Sequence, residues 1–61
     1  MKILIADDDP TSLALLAGLT RRLGHTVVTA VDGARALEAF AAEQPDLVML
    51  DFRLPDLTAD E

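Results

Sequence analysis

The chain has 61 residues, 51% of them hydrophobic, with a formal net charge of −6 and no cysteine. That apolar content excludes a disordered tail, the lack of cysteine excludes disulfides, and the negative charge argues against non-specific nucleic-acid binding. A folded chain this small buries only about 60% of the surface its unfolded form exposes, so metal binding or association is the expected support.

Residues 2–6 (KILIA) make a short apolar run, the pattern of a strand buried on both faces. Asp7, Asp8 and Asp9 end that run too early for a signal peptide. No apolar run approaches the roughly 18 residues of a membrane span, and a cytoplasmic protein is the default expectation. Asp9 suits an N-cap and Pro10 the first helical position, where a missing N–H costs nothing. The spacing predicts a helix over 10–23, with Ser12, Leu15, Leu16, Leu19 and Leu23 on one stripe and Leu13 beside it. Arg21 and Arg22 complement the dipole in its last turn, and Gly24 can take the left-handed position that follows.

Residues 26–30 (TVVTA) form a second, β-branched strand. Asp32 can cap a second helix over 33–42, whose expected buried stripe is Leu37, Phe40 and Ala41, with Ala36 beside them. Gln44 and Pro45 stop it. Residues 46–50 (DLVML) read as a third strand, and Asp51 follows directly. The order βαβαβ implies an α/β fold with a parallel sheet and helices on its faces. Right-handed crossovers with the first strand in the centre give the strand order 2-1-3, the helices covering opposite faces.

Open parallel sheets bind ligands at the carboxyl ends of their strands, where the chain reverses direction. Asp7 and Asp8 close strand one and Asp51 closes strand three, so these carboxylates should converge. Two carboxylates about 5 Å apart repel by roughly 3 kcal/mol at an effective dielectric of 20. A hard cation relieves that cost, and Mg²⁺ takes one or two protein carboxylates together with waters and a phosphate. Asp8 and Asp51 are the candidate direct ligands. Asp7 is placed to hold a metal-bound water, and the Arg53 backbone carbonyl to supply a further oxygen. A carboxylate is a competent nucleophile for phosphoryl transfer, which makes Asp51 the candidate acceptor.

Three segments, ILIADDD at 3–9, GHTVVTAVDGARAL at 24–37 and PDLVMLDFRLPD at 45–56, have an order and spacing that resemble the receiver domain of two-component response regulators. The resemblance runs the whole length of the chain, as the N-terminal half of such a domain. It implies a flavodoxin-like fold, with Asp51 as phosphoacceptor, Asp7 and Asp8 as the acidic pair and the Arg53 carbonyl as a metal ligand. It implies a partner, a sensor histidine kinase or a histidine phosphotransfer protein, that donates from a phosphohistidine. The chain is then an acceptor, not an enzyme. The family's switch hydroxyl and its phosphate-binding lysine fall beyond Glu61, and Ala59 stands where a glycine is usual. Normal signalling by this segment alone is therefore not expected.

Simpler or different roles compete for some of these residues. Asp9 fits plain capping, His25 a surface turn, and Arg21, Arg22 and Arg35 solvated helix charge. Phe40, Met49 and the leucines read as core, and Phe52 as a loop contact or part of a signalling surface. Asp7 to Thr11 also fits the DxDxT motif of haloacid-dehalogenase-like phosphotransferases, with Asp7 as nucleophile and Asp9 as general acid. A structural alternative is a self-associating half-domain without phosphotransfer, dimeric through the edge of strand three or by swapping.

Overall fold

The first apolar run forms β1 (Lys2–Asp7), one residue longer than the sequence pattern suggests, because Asp7 joins the strand. Residues 1–51 are described by a computed structural model. The Arg53 carbonyl, Phe52, the Pro55 loop and Ala59 lie outside the described residues. β1 is followed by α1 (Pro10–Arg22), β2 (Thr26–Ala30), α2 (Gly33–Glu43) and β3 (Leu47–Asp51). The three strands form a parallel sheet in the order β2-β1-β3, as expected for a partial flavodoxin-like fold.

Capping sets where each helix begins. The Asp9 carboxylate accepts from the Thr11 amide at 3.1 Å and from the Ser12 hydroxyl at 3.1 Å. Asp32 does the same for α2, accepting from the Arg35 amide at 2.8 Å. These bonds satisfy amides that have no partner inside the helix. Gly24, at φ 95°, takes the left-handed position after α1. α2 stops at Gln44, which is itself left-handed at φ 51°, a conformation that costs a side-chain-bearing residue roughly 1–2 kcal/mol.

β1 is the axis of the core. Alternation sends Ile3 and Ile5 to one face, where they pack with Leu13 and, less fully, Leu16 and Val27. Leu4 and Ala6 point to the other, against Ala30 and Ala36, with Val28, Ala39 and Val48 at the margin. The two helices cover opposite faces, lying over β1 and β2, and neither lies over β3. Among the described residues no helix is long and apolar enough to cross a membrane.

That arrangement corrects much of the expected core. In α1 the sheet-facing positions are Leu13, Leu16, Ala17 and Thr20, while Leu15, Leu19 and Leu23 are exposed. Both sets have helical spacing, and the set that meets β1 is the one in phase with the Asp9 cap and the incoming strand. In α2 Ala36 is buried, but Leu37, Phe40 and Ala41 are exposed, Leu37 at 74%. Leu37 and Phe40 flank an apolar groove that runs from α2 to Val48 and Leu50 of β3. Met49 is exposed as well, since the face of β3 that it occupies has no helix above it among the described residues.

The end of the sheet opposite to the aspartates is clasped. The Lys2 amide donates to Asp46 Oδ2 at 2.8 Å, and the Asp46 amide returns a bond to the Lys2 carbonyl at 2.8 Å. Lys2 Nζ reaches both the carbonyl and the carboxylate of Glu43, at 3.1 and 3.3 Å. The Thr26 amide donates to the Met1 carbonyl at 3.0 Å, so β2 and β3 are both tied to the first residues of β1.

Candidate functional site

β1 ends in a carboxylate because its last pleat position still lies in the sheet. Asp7 pairs with Asp51 in the parallel register, as Ile5 pairs with Met49 and Ile3 with Leu47. Paired residues on adjacent parallel strands point to the same face, about 4.8 Å apart. Asp7 and Asp51 therefore share the face that carries Ile3 and Ile5, at the carboxyl end of the sheet.

Their surroundings differ. Asp7 is 1% exposed, the sole charged or polar member of the buried set among the described residues. Its Oδ1 accepts from the Asp9 amide at 2.9 Å, but its Oδ2 is buried with no hydrogen-bond partner among the described residues. A buried acceptor without a partner costs about 1–3 kcal/mol, and more if it is charged. Asp51 is exposed at the tip of β3, and Asp8 is exposed just past β1. Asp8 leaves the strand where the chain turns toward the helix cap, so it stands at the rim while Asp7 forms the floor.

The structure thus brings together Asp7 and Asp51 in register, leaves Asp8 exposed just past β1, and leaves the Arg53 carbonyl undescribed. Asp9 is engaged elsewhere, with both carboxylate oxygens bonded in the first turn of α1. That engagement weighs against the DxDxT alternative, which needs Asp9 free as an acid. Among the described residues no group of three or more His, Cys, Asp or Glu side chains is placed to hold a metal ion by itself. Magnesium does not require one, since it commonly keeps several waters and takes one or two carboxylates. The Oδ2 of Asp7, with Asp51 beside it, suits such a hydrated cation: the positive charge would give the buried oxygen what the described residues do not. Sequence alone had not separated Asp7 from Asp8 by burial. The signal was present in the alternation of β1, which puts position 7 in phase with Ile3 and Ile5.

Comparison with known proteins gives the family. The pattern of the response regulator receiver domain matches residues 3–59. The chain is 43% identical over 60 residues to the alkaline phosphatase synthesis transcriptional regulatory protein PhoP of Bacillus subtilis, covering 98% of this chain and 25% of that protein. It is 49% identical over 57 residues to the transcriptional regulatory protein KdpE of Mycobacterium tuberculosis, covering 92% of this chain and 25% of that one. With the probable transcriptional regulator ycf27 of Guillardia theta it shares 43% identity over 56 residues, 92% of this chain and 22% of the relative. The chain spans about a quarter of the length of these curated relatives. Three parallel strands in the order 2-1-3, an aspartate pair across β1 and β3, and a pattern match over nearly every residue make this chain a member of the response regulator receiver domain family.

Proposed function

We propose that this chain is the phosphoacceptor part of a two-component phosphorelay and that Asp51 takes the phosphoryl group. The observation that carries the reading is the register pair Asp7 and Asp51, one buried with an unpartnered oxygen and the other exposed. An acceptor must be reachable by its donor, and Asp51 is. A carboxylate oxygen of Asp51 attacks the phosphorus of a phosphohistidine on a sensor histidine kinase or histidine phosphotransfer protein. The P–N bond breaks, the electron pair stays on the imidazole nitrogen, and an acyl phosphate remains on Asp51. Asp7, Asp8 and Asp51, with the Arg53 carbonyl, are the residues that would hold Mg²⁺. When bound, that ion neutralises charge developing on the phosphoryl oxygens. Asp7 meanwhile fixes the turn that follows it through its bond to the Asp9 amide. Phosphorylation then shifts the population between two surface states of the whole receiver.

Mass spectrometry after treatment with a small-molecule phosphodonor and Mg²⁺ tests this. The expected product carries one phosphoryl group on Asp51, and Asp51→Asn abolishes it. Phosphorylation at Asp7 with none at Asp51 would overturn the assignment in favour of the dehalogenase-like chemistry. The relatives named as transcriptional regulators support the reading that the whole protein regulates transcription, and a cytoplasmic location is proposed with it. With a net charge of −6, this segment is assigned no direct contact with nucleic acid.

A second reading applies to the 61-residue chain taken by itself. It pairs with a second copy through the edge of β3, or swaps elements across it, as a structural half-domain with little phosphotransfer. What favours this is the exposed apolar flank formed by Leu37, Phe40 and Leu50 beside β3, the edge strand among the described residues. A bare apolar edge is a template for further strand pairing.

A further inference from the structure

We draw no further inference here: the strongest candidate, the apolar groove between α2 and β3 lined by Leu4, Leu37, Phe40, Val48 and Leu50, is the face already offered above to a second copy, and nothing in the structure shows another occupant.

Discussion

Asp7 and Asp8 are chemically identical neighbours, yet the fold treats them differently. Asp7 is locked into the last pleat of β1 with one oxygen bonded and the other without a partner among the described residues, while Asp8 faces solvent. If Mg²⁺ binds as proposed, stability should respond to it only while both Asp7 and Asp8 are in place. Millimolar Mg²⁺ is expected to raise the melting temperature of the wild-type chain, and Asp8→Ala to abolish the rise. Asp7→Asn removes the buried charge while keeping the shape. It is expected to melt higher than the wild type without metal, because no charge is buried, and to lose its response to Mg²⁺. Calorimetry of the three proteins with and without the ion distinguishes these outcomes; a wild-type melting temperature indifferent to Mg²⁺ would count against an assembled site. Three of the four candidate site residues lie among the described residues, and the pairing of two of them, Asp7 and Asp51, was legible from the sequence, because acidic residues directly after apolar runs in a βαβαβ order fall at the strand tips. The difference between floor and rim depends on one more residue of strand, and element ends are where local pattern is weakest.

At the scale of the elements, the local signals proved the most readable. The Asp-Pro and Asp-Gly starts produced two capped helices, and Gly24 took its left-handed turn. Asp9→Ala and Asp32→Ala should each lower stability by about 1 kcal/mol, seen as an earlier urea midpoint with an unchanged slope. Gln44→Gly should act in the opposite sense. The left-handed backbone costs a residue with a side chain roughly 1–2 kcal/mol, glycine's greater freedom when unfolded returns about half of that, and a net gain of about 0.5–1 kcal/mol is expected in the same titration. The helix faces were less legible. α1 carries two leucine-bearing stripes at helical spacing, and periodicity does not say which one the sheet receives. Tertiary position decides: Leu13 and Ala17 meet β1, and Leu15 and Leu19 do not. In α2 the larger apolar residues lie outside and small alanines inside, an inversion that follows from the helix sitting close over β1 and β2 with its flank toward β3 open among the described residues.

The molecule as a whole rests on one central strand. Ile3 to Asp7 are all buried, whereas β3 is mostly exposed. Truncation at the centre should therefore be severe: Leu4→Ala is expected to cost about 2–5 kcal/mol, enough to unfold so small a domain at ambient temperature, as circular dichroism would show. Substitution on β3 should affect association instead. Leu50, 62% exposed, can be changed to lysine with little loss of folding, and sedimentation is expected to move the 61-residue chain from dimer to monomer. A wild-type chain that sediments as a folded monomer at micromolar concentration would remove the self-association reading without touching phosphorylation at Asp51.

The clasp between Lys2 and Asp46 has a long reach. Because side chains alternate along a strand, sliding β3 by a single residue against β1 would turn Asp51 to the opposite side of the sheet and bring Leu50 or Phe52 alongside Asp7. The paired backbone and carboxylate bonds at the far end act as an alignment pin, roughly five residues and about 16 Å from Asp51. If Asp51 is the acceptor as proposed, chemistry at one rim is thereby indexed by a residue at the other, and Asp46, at the opposite end of the sheet, becomes a position where a change would blur the address of the phosphoryl group.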